Sequence, residues 1–176
     1  MCKFFVLWDN FSKYENLVDI IINIYYKYCN ILSLGIILIF NNKYLVKKYL
    51  NPLECKNKNT ILNINIKPKY LFYHMRLPYD KNKHSINKNN IHPFIFDDRY
   101  ICMHNGLIKF KKNINNYLVT KMKKQIKGTT DSELFFAILL SINQHIDNIN
   151  KSLKDINKFI KNNSLLNIVI LDKKTN

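Results

Sequence analysis

The chain has 176 residues, 47% of them apolar, with only 3 Gly and 4 Pro. That is enough apolar side chain to offset the ordering entropy of one domain, and it excludes collagen-like, linker-like and wholly disordered classes. Its 28 Lys and Arg against 12 Asp and Glu give a net charge of +16, a balance that by itself would suit a polyanion partner.

The pairs Lys47-Lys48, Lys111-Lys112, Lys123-Lys124 and Lys173-Lys174 are scattered, however, rather than gathered into a basic helix or an aromatic block. Together with abundant Asn, Ile, Tyr and Phe they fit the codon bias of an A+T-rich genome, which argues against nucleic acid as the partner. Four Cys without a C-x-x-C pair imply free thiols in a reducing compartment. The most apolar run, 31–40, is about half the length a bilayer requires, and Trp8, Asp9 and Asn10 interrupt the N-terminal run too early for a signal peptide. The expectation is a cytoplasmic protein with no membrane partner.

In chain order, Phe4, Phe5, Val6 and Leu7 read as a short buried strand beginning at the terminus, with Cys2 at its end. Leu17, Ile20, Ile21, Ile24 and Tyr28 recur at helical spacing, so 14–28 is predicted as an amphipathic helix. Segments 34–40 and 44–49 flank Asn41-Asn42, a two-residue connection suited to positive φ, and form a predicted β-hairpin. Residues 61–66 and 70–75 read as strands separated by Lys67-Pro68, and 78–90 as a polar, mobile excursion. Segments 100–103 and 107–110 flank His104-Asn105-Gly106, the next hairpin-like signal. Residues 130–145 form the strongest predicted helix, with Thr130 and Glu133 spaced as a capping box; 149–160 is a second helix, and 166–171 a final strand. Without regular βαβ alternation, this order indicates an α+β chain with mainly antiparallel strands, organised as one domain over 1–176.

Several residues are able to carry chemistry, and each also has an ordinary structural reading. Removal of Met1 would leave Cys2 with a thiol and a free α-amine, a nucleophile beside a base with a reference pKa of about 7.7–8.0; otherwise it is a small residue opening a strand. Asn105 and Gly106 are either a type I′ turn or two donors aimed at one oxygen. Asp131 suits a helix N-terminus, which does not exclude a contact to a ligand ammonium group. Arg76, in His74-Met75-Arg76, is either a surface residue or a bidentate clamp for a carboxylate. His74, His84, His92 and His104 with Cys102 lack metal-ligand spacing, so no metal is expected. Three glycines, Gly35, Gly106 and Gly128, allow no Gly-rich phosphate loop.

The pieces Met1-Cys2, His74-Met75-Arg76, Asn90-Ile91-His92-Pro93-Phe94, Met103-His104-Asn105-Gly106, Thr130-Asp131-Ser132-Glu133 and Leu166-Asn167-Ile168-Val169-Ile170-Leu171-Asp172 occur in this order. As a set they resemble the class II glutamine amidotransferases, and in particular their stand-alone branch. The resemblance spans essentially the whole chain. It implies an N-terminal-nucleophile hydrolase fold, with antiparallel sheets sandwiched between helix layers. By the same resemblance Cys2 is the nucleophile with its own α-amine as base, Asn105 and Gly106 form the oxyanion hole, and Arg76 and Asp131 hold the α-carboxylate and α-ammonium of a glutamyl group. His74 and His104 are supporting residues, and no cofactor is implied.

Two departures stand out. Leu32-Ser33-Leu34-Gly35 occupies the position of the family's Asp-Gly-Trp-Gly, and the chain stops at Asn176, where relatives continue after an Asp-Gly that here reads Asp172-Lys173. A shortened C-terminus with a sheet edge unpaired or covered by another chain is therefore expected. The expected activity is cleavage of glutamine or a small γ-glutamyl amide through a Cys2 thioester, with ammonia released or passed to a separate synthase or acceptor subunit. The alternatives are a weakly active or inactive relic serving as a binding subunit, and a basic polyanion binder.

Overall fold

The computed structural model describes residues 3–8, 33–40, 43–51, 68–76, 87–111, 114–146 and 148–174, with residues 20, 23, 24 and 27. The chain divides into two compact units, Met1–Pro93 with Thr175–Asn176, and Phe94–Lys174.

The first unit holds a four-stranded antiparallel sheet of β1 (Lys3–Trp8), β2 (Ser33–Phe40), β3 (Lys43–Tyr49) and β4 (Tyr70–Arg76), in the order β1-β4-β2-β3. The β2–β3 hairpin is the expected one: Phe40 pairs with Lys43, leaving two residues to the connection. The central strands are buried at successive positions, Ser33 through Leu38 and Leu71 through Met75. Both faces of each strand are thus out of water, which is what a continuous Leu/Ile/Phe/Tyr run satisfies and an alternating run would not.

Positions 20, 23, 24 and 27 are helical, but Ile20 and Ile24, expected on a buried stripe, are about half exposed at 52% and 49%. The rest of the predicted helix and the predicted strand 61–66 lie outside the described residues, as does most of 78–90. The end of that excursion is ordered, because Asn87 caps a 3₁₀ turn, Lys88–Asn90, by accepting from the Asn90 N–H at 3.0 Å.

The second unit holds β5 (Phe94–Phe96), β6 (Tyr100–Leu107) and β7 (Leu165–Asp172), antiparallel in that order, with helices α1 (Thr120–Lys123), α2 (Asp131–Ile146) and α3 (Ile149–Ile156). Tyr100 and Cys102 on β6, and Leu166, Ile168 and Ile170 on β7, share one sheet face. They pack in one cluster with Phe135, Phe136 and Leu139 of α2 and Ile156 of α3. Residues 135–140 of α2 are all 1% exposed or less, so the middle of the helix is buried all round.

Three local expectations are corrected here. The His104-Asn105-Gly106 segment is not a hairpin turn. β6 runs straight through it, because β7 pairs along its whole length and places Asn105 opposite Asn167 and Gly106 opposite Leu166. The turn lies upstream, where Asp97 and Asp98 adopt φ of 54° and 50° and Arg99 N–H donates to the Phe96 carbonyl at 3.0 Å, a type I′ geometry that Asp tolerates. The capping box is half formed: Thr130 Oγ1 accepts from Glu133 N–H at 3.1 Å, while the Glu133 carboxylate accepts from the Lys127 and Gly128 N–H groups at 2.9 and 2.7 Å. The second helix ends at Ile156, and Ile160 instead bridges to Phe110.

Candidate active site

In the first unit, β4 ends in His74-Met75-Arg76, and the register sets Arg76 opposite Ser33, and His74 opposite both Phe4 and Gly35. Lys3, immediately after Cys2, pairs with Met75, immediately before Arg76. The Arg76 Nη1 donates to the carbonyl of Asn90, itself wholly buried at the end of the 3₁₀ turn, which fixes the guanidinium on the Asn-x-His-Pro-Phe segment. His74 is wholly buried and its ring packs against that of His92, centroids 4.0 Å apart and planes tilted by 40°. Gly35 makes this possible: a Cβ there would lie 1.7 Å from the His92 carbonyl oxygen. Cys2 lies outside the described residues.

The second unit brings His104, Asn105, Gly106 and Asp131 together. Asp131 begins α2, and its carboxylate is oriented by two backbone donors, Ile108 N–H to Oδ2 at 2.7 Å and Ser132 N–H to Oδ1 at 2.9 Å. A carboxylate has about four acceptor positions, so two donors leave it room for an ammonium group. His104 is buried on β6, between the Ser132 hydroxyl at 2.8 Å from Nδ1 and the Leu165 carbonyl at 2.9 Å from Nε2. Burial lowers its pKa below the ordinary imidazole value, against smaller opposing effects of the Leu165 carbonyl and the Asp131 charge.

Asn105 gives its backbone carbonyl to the Asn167 amide at 3.0 Å, but its side-chain oxygen is buried with no hydrogen-bond partner among the described residues. The fold thus leaves the carboxamide oxygen, an acceptor, without a partner among the described residues, beside Gly106, whose φ is +154°. The donors such a residue pair offers to a carbonyl oxygen that develops charge are the Asn Nδ2–H and the glycine backbone N–H. Cys102, one strand position from Met103, is a free thiol, and complete burial pushes its pKa far above the usual range, so it is no nucleophile.

Sequence reasoning gave no role to Ser132, to the Asn90 and Leu165 carbonyls or to the Gly35–His92 contact. Ser132 was within reach, since it adjoins Asp131. The carbonyl contacts depend on long-range strand and turn placement that no local pattern encodes.

No protein-family sequence profile matches the chain. No curated protein matches it by sequence. Solved structures do. A glutamine aminotransferase class-II domain protein from Silicibacter pomeroyi superimposes with a TM-score of 0.54 at 17% identity, over 80% of this chain and 65% of that one. The glutamine phosphoribosylpyrophosphate amidotransferase of B. subtilis gives 0.51 at 16% identity, over 81% of this chain and 30% of the other. The chain thus spans just under two thirds of the first relative and under one third of the second. It shares with them the fold of class II glutamine amidotransferase domains, an N-terminal-nucleophile hydrolase fold of antiparallel sheets and helices. Among the described residues no helix is long and apolar enough to cross a membrane.

Proposed function

We propose that the chain is an amidohydrolase of the class II glutamine amidotransferase type, cleaving glutamine or a small γ-glutamyl amide through a Cys2 thioester. The observation that carries this reading is the half-buried Asn105 side chain on β6 beside Gly106, whose carboxamide oxygen is buried without a hydrogen-bond partner among the described residues; that oxygen would accept from a ligand N–H, and the Nδ2 end of the same group would donate to the oxyanion. A buried polar group without a partner is costly, and a ligand contact gives it a reason to be there.

In this reading Arg76 holds the α-carboxylate of the glutamyl group and Asp131 its α-ammonium. The Cys2 α-amine takes the thiol proton as sulfur bonds to the γ-carbonyl carbon, and Asn105 and the Gly106 N–H receive the oxyanion. The carbon–nitrogen bond then breaks, the same amine returns the proton to the leaving nitrogen, and ammonia departs. Water, deprotonated in the same way, hydrolyses the thioester to glutamate. His74 and His104 are supporting residues, and a separate synthase or acceptor subunit receives any ammonia that is not released.

A second reading is favoured by one observation. Ser33, paired opposite Arg76, stands where the family's Asp-Gly-Trp-Gly has glycine, and its hydroxyl is buried without a hydrogen-bond partner among the described residues. A changed residue at that position suits a binding subunit that has lost turnover. Purified protein lacking any N-terminal tag separates the two. The expected result is glutamine hydrolysis, Met1 missing by intact mass, labelling of Cys2 by an electrophilic glutamine analogue, and loss of turnover on N-terminal but not C-terminal tagging. Full activity in protein that keeps Met1 would refute the mechanism, and no labelling of the folded protein would favour the binding subunit.

A further inference from the structure

The hydroxyl of Ser132 carries one proton and faces two acceptors. It lies 2.8 Å from His104 Nδ1 and 3.4 Å from Asp131 Oδ1, and Ser132 is only 4% exposed. The tautomer of His104 decides which acceptor it serves. The Leu165 carbonyl, 2.9 Å from Nε2, can only accept, so the ring proton sits on Nε2. Nδ1 is then a bare lone pair, and the Ser132 hydroxyl donates to it.

Given the reading of Asp131 as the ammonium-binding carboxylate, on which this rests, we propose that Ser132 is a positioning residue that couples the grip of Asp131 on a ligand ammonium group to the protonation of His104. When Nδ1 takes a proton from solvent it becomes a donor toward Ser132 Oγ. The hydroxyl must then turn its own proton away, and Asp131 Oδ1 is the acceptor beside it. Asp131 already accepts from the Ile108 and Ser132 N–H groups. A third donor takes up a lone pair that a ligand ammonium group would otherwise use, and binding weakens.

Among the described residues, α2 presents the Ser132 hydroxyl and the charged Asp131 to the ring, and β7 presents the Leu165 carbonyl. Asp131 favours the imidazolium, while burial opposes it more strongly. The coupling therefore operates on the acid side of the ordinary imidazole range.

The test is an NMR titration of isotopically labelled full-length protein from about pH 8 to about pH 5, across the imidazole range. Imidazole ¹⁵N and Asp131 carboxyl ¹³C shifts are followed in wild type, Ser132→Ala and Ser132→Thr. The expected result is a His104 Nε2–H tautomer at high pH in wild type. Asp131 then moves with the His104 midpoint in wild type and Ser132→Thr, and this step is at least halved in Ser132→Ala. In parallel, the KM for glutamine rises about threefold as His104 protonates in wild type, the effect of diverting one hydrogen bond. It stays flat in Ser132→Ala, while kcat keeps one pH profile in both.

An Nδ1–H tautomer in wild type, which needs no variant to detect, overturns the coupling, as does an undiminished Asp131 step in Ser132→Ala. Neither result bears on whether glutamine is cleaved. Conversely, coupled shifts without hydrolysis at any pH support the hydroxyl link and remove the substrate reading.

Discussion

Replacing Gly106 by Ala tests the geometry of β6 most directly. A Cβ at this position would stand 2.0 Å from the Leu165 carbonyl oxygen and 2.8 Å from His104 Nε2, inside the hydrogen bond that joins those two atoms. The φ of +154° adds a second cost, since an L side chain held in that region is strained by about 1–3 kcal/mol. Losing the buried His104–Leu165 bond adds about 1–2 kcal/mol. Together these give a destabilisation of about 2–5 kcal/mol. With a urea dependence of about 2 kcal/mol per molar, the unfolding midpoint should fall by about 1–2.5 M. Urea denaturation of both proteins, followed by circular dichroism at neutral pH, measures it. A midpoint within about 0.3 M of wild type would refute the close approach of β7 to Gly106.

Three further outcomes follow from the same structure. Asn105→Ala should keep the fold, because its backbone carbonyl still receives the Asn167 amide, while kcat for glutamine falls by about a hundredfold or more; unchanged turnover would leave Asn105 as a strand residue only. Arg76→Lys should raise the KM for glutamine by roughly tenfold, the worth of one lost bond to a charged group, since an ammonium cannot both hold the Asn90 carbonyl and offer a planar fork; an unaltered KM would reject the clamp. Asp172→Asn should cost about 1 kcal/mol at pH 7 by breaking the two-point pair with Arg99, at 2.7 and 2.6 Å. That pair holds the Asp172 carboxyl below its usual range, so its contribution is complete above the unfolded value of about 3.9 and fades as pH falls through the lower folded one. Urea midpoints of wild type and variant should therefore converge at strongly acidic pH, and a constant gap would reject the ion pair as the cause.

The strands of the first unit were legible because their signal is compositional. Phe4 to Leu7, the run through Ile39 and the aromatic stretch ending at Met75 each became a strand; the last two are central and too continuous to face water on either side, whereas β1, expected to be buried, is an edge strand with Phe4, Phe5 and Val6 only half-buried. The start of α2 was legible from Thr130 and Glu133, although Glu133 turned to the Lys127 and Gly128 N–H groups instead of back to the cap. The Asn-Gly dipeptide misled, because turn preference is a local quantity and pairing with β7, some 60 residues away in sequence, outweighed it. The same blindness hid the true turn, where Asp97 and Asp98 take positive φ without a glycine and Asp97 is held by Gln125 and Lys121 from the α1 region. The candidate site residues stand out in the sequence as a set of motifs in order. Their anchors do not, since Asn90, Leu165 and His92 contribute backbone carbonyls, and a carbonyl carries no residue identity.

That distinction also sorts what turnover must explain from what folding already does. In a chain with three glycines, two stand on strands at points where a distant carbonyl occupies the place of a side chain: the His92 oxygen at Gly35, and the Leu165 oxygen at Gly106. Both are required by backbone approach whether or not the protein is an enzyme. For Gly35 sterics suffice: with Cβ 1.7 Å from a backbone oxygen, no other residue fits without moving His92 and the His74 ring packed against it. Asn105 is different. Its backbone is not in the left-handed region, and it buries an amide oxygen with no partner among the described residues, which costs stability. The discriminating measurement between enzyme and relic therefore lies with the carboxamide: if Asn105→Ala stabilises the protein and hydrolysis is lost, the group is maintained for chemistry, whereas a stability loss of about 1 kcal/mol or more would return it to the fold.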